Sequence, residues 1–365
     1  MFETLLSSIN DAPSYVQQLW ILCGLLLVWL WSTPSNELVG LKTIFSKMLL
    51  WVQCIIYMVL SKDNKGIGVK YQTPENDPQL ILDKHRKNEI ETSTKQIIFI
   101  RHGESDWNMV FNRGKNFGML FRLARALITE WSMAFSLDSP FLDSPLNSEG
   151  IEQALELRKY IEESPEDPNP KRKELLSILR GDANAPSTSI VVSSILRRAI
   201  ATTTLALWPR LNRNDEKMNL MTPCQEISRN VDTCSIAPAN SVPDLPFARI
   251  APHCGGHDKC NTKLFNTSMN TGNKTLSNKG KDRIEEFNKW AFECEEDTII
   301  VGGHSLWFKS YFNLYLPYTS THKAKTEKIT NSGVIAFTIH KSVSGKDYFI
   351  DPESIETVYG GFTKK

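Results

Sequence analysis

The chain has no surplus of either charge: 42 Lys and Arg stand against 41 Asp and Glu, leaving a formal net charge of +1. Nothing in that balance points to nucleic acid or a polyanionic surface as partner. Cysteine is sparse, odd in number (seven) and widely spaced. That excludes a disulfide scaffold and suits a reducing compartment. Two glycosylation triplets, at Asn266 and Asn273, point the other way, but such triplets arise often by chance. No Walker-type Gly-rich Lys loop occurs, so the signature of a nucleotide kinase is missing. No internal repeat is visible. What is present, 41% hydrophobic and 23% charged residues over 365 positions, describes a globular chain with room for one large or two small domains and an enzyme site.

Two apolar runs stand near the start. Leu19–Trp31 has no polar side chain, and Met48–Leu60 has only Gln53. Flanking residues extend them to 12–32 and 45–61, near the ~20 residues that a spanning helix needs. A hairpin of two membrane helices over residues 1–61 is the first expectation. One span plus an interfacial helix comes second, and buried core helices are the soluble alternative. A cleaved signal peptide fits least, because Met1–Gln18 carries Glu3 and Asp11 and no basic residue. Lys62, Lys65 and Lys70 after the second run place the following domain in the cytosol, although Lys42 and Lys47 pull against that. Residues 62–94 are polar and read as a linker.

From Gln96 the texture changes. Gln96–Ile100, Ser189–Ser193, Thr298–Gly302 and Gly333–Ile339 are short apolar runs of the kind buried inside a parallel sheet. Helical patterns at 149–163, 196–208, 280–293 and 306–316 alternate with them. The expectation is an α/β domain, three-layer α/β/α with a mainly parallel central sheet, over residues 95–365. Three of the strands run directly into reactive residues: Arg101-His102-Gly103-Glu104, Ser193 to Ala199 with Arg197 and Arg198, and Gly303-His304-Ser305. Ligands of open α/β sheets bind beyond the carboxyl ends of the strands, so these segments can meet in one pocket. Arginine forks match phosphate oxygens, a neutral imidazole is a competent nucleophile, and nearby cations disfavour its protonation. Gly103 and Gly303 are expected to let backbone approach a ligand closely.

These residues carry a resemblance. Arg101 to Asn108 (RHGESDWN) resembles the first signature of the histidine phosphatase superfamily, in its phosphoglycerate mutase-like branch. Ser144 to Ala154, Ser193 to Thr202 and Gly303-His304-Ser305 resemble its next three elements, in the family order, over Gln96 to His340. The resemblance implies that His102 is the nucleophile and forms a phosphohistidine. It implies that Arg101 and Arg198 bind the phosphoryl oxygens, that His304 is the second pocket histidine, and that Ser105, Asn108 and Gly303 help to bind substrate. Glu226 falls where the family places its general acid, and Asp232 is the alternative. Register against the motif picks Arg198 and leaves Arg197 as a surface or lid residue.

Two stretches depart from that pattern. Residues 109–143 form a long insertion, with Phe117–Ser136 helical. It reads as a lid whose Arg113, Lys115, Arg122 or Arg125 reaches a second anionic group, as a helix resting on a bilayer, or as an extra packing helix. After Glu226 there is no compact Arg-Arg segment to hold the far end of a bisphosphate, which favours hydrolysis over transfer. His253, Cys254, His257 and Cys260 have spacings that zinc tolerates, but an exposed loop is the expectation, with no metal and no cofactor. The reading is a membrane-tethered phosphatase acting on a phosphorylated substrate. A phosphoglycerate mutase-like transferase and an inactive membrane-anchored binding protein are the alternatives.

Overall fold

The computed structural model describes residues 39–67, 77–114, 117–164, 168–243, 245, 247–343 and 347–364. The first apolar run, Lys70 and Lys115 lie outside them. The central strand is β1 (Thr92–Arg101), and its alternation builds both faces of the molecule. Ile98 and Ile100 face one core with helices α5 (Ser148–Glu163), α6 (Pro170–Arg180) and α7 (Arg197–Asn214). Ile97 and Phe99 face the other, with α8 (Gly280–Glu293) and α9 (Ser305–Tyr315). Side chains of period two on a strand buried on both sides leave no polar face, which is why the run is apolar throughout.

The sheet has eight strands. Strands β4 (Phe265–Asn266), β3 (Met218–Met221), β2 (Ser189–Ser194), β5 (Thr298–Gly303) and β1 are parallel neighbours in that order. Strand β7 (Val334–Ser342) then joins β1 antiparallel, and β8 (Tyr348–Ile350) and β9 (Glu356–Tyr359) pair with β7. The sheet is thus mixed, where a mainly parallel one was expected. A buried strand is apolar whichever way it runs, so composition at residues 333–339 carried no direction. A small sheet of β6 (Lys328–Ile329) and β10 (Phe362–Thr363) lies apart.

The N-terminal part differs from its sequence reading. The second apolar run is one helix, α1 (Val39–Leu60), long and apolar enough to cross a membrane. Yet it packs along its length: Gly40 meets the Phe135 ring, Lys47 pairs with Glu130 at 3.1 Å, and Cys54 and Tyr57 are buried with Leu142, Val231 and Cys234. The stretch expected to be a linker carries helix α2 (Pro78–Arg86), capped by Asp77. It also carries Asp63, fully buried and paired with Lys274 at 3.0 Å and Arg283 at 2.7 Å. Those partners lie more than 200 positions away, so local composition could not reveal them. The insertion begins with a short helix α3 (Asp106–Phe111) and continues as α4 (Phe117–Ser132).

The HCGGHDKC loop also differs. Cys254 and Cys260 are buried in the core below α5–α7, while His253 and His257 are exposed. The four donors therefore do not converge, and among the described residues no three His, Cys, Asp or Glu side chains are grouped to hold a metal ion. The six described cysteines are free thiols. The carboxamide of Asn273 accepts from Gln225 and from the Ser235 amide, so it is engaged inside the fold.

Candidate active site

Strand register brings the two histidines together. Ile100 lies opposite Gly302 and Arg101 opposite Gly303, so one step further on, where both strands end, His102 and His304 are neighbours. Their ring centroids are 5.1 Å apart, and the His102 amide donates to Gly303 O at 3.0 Å. Strand β2 flanks β5 with Ser193 opposite Gly302. That sets Ser194 Oγ 2.8 Å from His304 Nε2. Helix α7 follows β2 directly and carries Arg198 in its first turn. Its Nε–H donates to His102 Nε2 at 3.3 Å.

The partners of His102 assign its tautomer. Nδ1 lies 2.6 Å from Gly103 O, which can only accept, and Nε2 receives the Arg198 N–H. Nδ1 therefore carries the proton and Nε2 holds the lone pair. Burial, then Arg198, then Arg101 push the pKa of His102 well below the usual histidine value. His304 is lowered in the same way by burial, then by Arg198 and His102. Both imidazoles are neutral at neutral pH. Arg101 is brought down to about 10 by burial, against the attraction of Glu226, and keeps its charge. One of its guanidinium nitrogens donates to Ile329 O.

Three buried polar atoms in this cluster have no hydrogen-bond partner among the described residues: Arg101 Nε, His304 Nδ1 and Asp232 Oδ1. Buried polar atoms are rarely left unsatisfied, and a group of them signals a place where a polar ligand binds. Asp232 Oδ2 lies 3.3 Å from Arg198 Nη2. Burial outweighs that attraction, and with the nearby Glu226 it pushes the carboxyl up to about 6. Glu226 is also buried, but Oε1 already accepts the amides of Ile227 at 3.0 Å and Trp307 at 2.9 Å.

Other expected site residues are used differently. Arg197 is 1% exposed rather than on the surface. Its Nε donates to Asp143 O at 2.7 Å, its Nη2 to Ser139 O at 2.9 Å, and it pairs with Asp138. It ties the end of the insertion to α7, because adjacent helix positions point about 100° apart and the second arginine must find its own partners. Ser105 Oγ caps α3 by accepting from the Asn108 amide. The Asn108 side chain bonds Asn112. A Cβ on Gly103 would meet Gly150 O at 2.5 Å, and one on Gly303 would meet the Phe308 ring at 2.9 Å. Close packing of chain on chain therefore leaves no room for a side chain at either position.

Thr202 escaped notice as a functional residue. Its Oγ1 accepts from the Gly103 amide at 3.0 Å and donates to Arg198 O at 2.8 Å, joining the nucleophile loop to α7. Its place four positions after Arg198, on the same helix face, was the available signal. Lys274 is the other omission. Fully buried, it donates to Asp63, Glu226 O, Ser228 O and Thr233 Oγ1. Arg283 donates to Gln225 O. The segment holding both carboxylates, Gln225–Thr233, is thus clamped through Asp63 to the base of α1.

Beside this cluster, not over it, is a cavity of about 490 Å³ whose walls include Arg113, Arg122, Arg125 and Arg249. It borders the nucleophile loop through Arg113, which pairs with Glu104 and Glu149.

No family model matches the chain, and no curated protein matches it. Solved structures do. A mycobacterial hydrolase is 13% identical, with 74% of this chain and 100% of that one covered, at a TM-score of 0.36. A mycobacterial glucosyl-3-phosphoglycerate phosphatase is 12% identical, with 73% and 99% covered, at 0.34. An alpha-ribazole phosphatase from Shigella flexneri is 14% identical, with 70% and 94% covered, at 0.32. Overlap at this level leaves the chemistry to be read from the chain's own side chains.

Proposed function

We propose that the chain is a membrane-tethered phosphatase that hydrolyses phosphomonoesters through a phosphohistidine on His102. One observation carries this reading: the His102 imidazole has Nδ1 2.6 Å from a backbone carbonyl, which fixes the proton there, and its Nε2 lone pair faces the buried Arg198 guanidinium at 3.3 Å. In the first step Nε2 attacks phosphorus and the P–O ester bond breaks. Arg101, Arg198 and neutral His304 take the three phosphoryl oxygens, and fixed donors of this kind are commonly worth several kcal/mol of barrier. In the second step water attacks phosphorus and gives its proton to the carboxylate that protonated the leaving group, while the P–N bond breaks with return of the electron pair to Nε2 and inorganic phosphate leaves.

The departing alkoxide needs a proton. Of the two carboxylates left open by the sequence, Asp232 is favoured here. Its Oδ1 is unpartnered, and its pKa near 6 leaves part of the population protonated at neutral pH. Glu226 has one oxygen already engaged by two backbone amides. The tether is the N-terminal apolar segment, supported by the outward apolar face of α1: Val59 is 64% exposed and Met48 61%. The catalytic domain faces the cytosol in this reading.

The test is release of phosphate from p-nitrophenyl phosphate by the detergent-solubilised full chain. His102→Ala should lower turnover by roughly a thousandfold or more, with circular dichroism unchanged. Turnover that survives the substitution would remove His102 from the nucleophile's role.

A further inference from the structure

Helix α4 packs Ala126 and Leu123 against the protein but leaves most of its larger apolar side chains exposed. Phe117, Phe121, Ile128 and Trp131 follow one another at helical spacing, and all are exposed, Phe117 at 75% and Trp131 at 83%. Arg122, Thr129 and Glu130 turn toward the protein instead. A helix of a soluble protein buries its apolar stripe. Helix α1 repeats the pattern: Met48, Val52, Ile55 and Val59 are exposed, while Lys47 is buried and paired with Glu130. The two helices touch, since Trp51 Nε1 donates to Glu130 Oε1 at 3.1 Å and Lys47 Nζ to Met133 O at 3.0 Å. Each of these neighbouring helices thus leaves large apolar side chains exposed. Polar contacts to the protein run along the inner side of α1, and a helix lying in the plane of the bilayer surface keeps them.

The arginine-walled cavity opens beneath α4. Arg113 is neutralised by Glu104 and Glu149, and Arg249 stands 4.0 Å from Asp106. Arg122 bonds only backbone carbonyls, of Val110 and Gly114. Arg125 has no hydrogen-bond or ion-pair partner among the described residues. Arg122 and Arg125 therefore have no ion-pair partner among the described residues, although the Asp106 carboxyl in the same cavity wall feels Arg125, and both stand at the edge of an apolar face. That juxtaposition matches an anionic phospholipid, whose phosphate lies within a few ångströms of its acyl chains.

We propose that α1 and α4 form an in-plane seat on the bilayer and that the cavity binds the phosphate of an anionic phospholipid head group. The sequence also carries the apolar run Leu19–Trp31 a few residues ahead of α1, which matches a membrane as the occupant of this face. The lipid is a component of the seat rather than a substrate, so the proposal goes beyond hydrolysis and does not need it.

Two measurements on the full chain test it, and neither reads turnover, so their failure and the failure of the hydrolytic reading are separate results. In detergent micelles, a fluorescent short-chain phosphatidylglycerol, a diester, should bind more tightly than phosphatidylcholine. Arg125→Ala should weaken it roughly fivefold and Arg125→Glu further, as expected for one basic residue at a lipid surface. Unchanged affinity in both variants overturns the site, and so does displacement of the lipid by inorganic phosphate at matching concentration, which would make it a site for free anions. In vesicles with dibrominated acyl chains, the emission lost on Trp131→Phe should be bromine-quenched emission. If the lost component is unquenched, water, residues 1–38 or a second copy covers this face, and the seat is wrong.

Discussion

His102 is reactive because of where its protons are held. A backbone carbonyl fixes one ring nitrogen as donor, and two guanidinium groups with full burial keep the other unprotonated. Asp232 is the opposite case: burial holds a proton on a carboxyl up to about pH 6. If Asp232 is the acid, kcat/KM must fall as pH rises through about 6, approaching tenfold per unit. His102 stays neutral across that range because its value is depressed well below 6.5, so the opposing limb lies at lower pH. Asp232→Asn should lower kcat by roughly 10²–10⁴ and abolish the descending limb, whereas Glu226→Gln should keep it. A flat profile to pH 8 in the unsubstituted chain would rule Asp232 out as donor. His102 and His304 were legible in the sequence because each directly follows a strand, and Arg198 because it opens the helix after β2, whereas Glu226 and Asp232 lie further from any strand end and came only from the resemblance. The burial of Arg197 was not legible, since its partners Asp138 and Asp143 belong to a loop more than 50 positions back.

The clamp on the acid loop is made of elements far apart in the chain. Asp63 closes α1, Lys274 precedes α8 and Arg283 lies within it, and all three are buried. Burial alone would raise the Asp63 carboxyl, but Lys274 and Arg283 together hold it below the usual aspartate range. Asp63→Asn keeps the shape and leaves two buried cations without their partner, a change that costs about 3–5 kcal/mol. Chemical denaturation should show that loss. It should be accompanied by a fall in kcat larger than the change in KM, because Gln225–Thr233 carries the proton donor rather than the phosphate-binding groups. Equal stability of the variant would show the clamp to be dispensable. Helices α5, α7, α8 and α9 and four central strands could be read from periodicity. Helix α2, Asp63 and the direction of β7 could not, because pairing over long separations leaves no local pattern.

At the scale of the molecule, the N-terminal segment and the enzyme are one structure. Helix α1 covers Leu142, Val231 and Cys234 next to the acid loop, so the boundary read near residue 61 cuts through a core. A chain starting at residue 39 should keep its melting temperature and turnover. One starting at residue 61 should melt earlier and lose turnover even with membranes supplied, and scanning calorimetry with an aryl phosphate assay compares them directly. Local hydropathy marked α1 as apolar, but it could not show which side of that helix meets protein. The proposed chemistry turns on one covalent bond, between phosphorus and His102 Nε2. Rapid mixing with a ³²P-labelled monoester, an alkaline quench and peptide mapping will locate that bond. The label should be acid-labile, base-stable and confined to the peptide bearing residue 102, absent in His102→Ala and accumulating if Asp232→Asn is assayed with an activated aryl ester. Turnover with no trapped label, or label on His304, would contradict this chemistry.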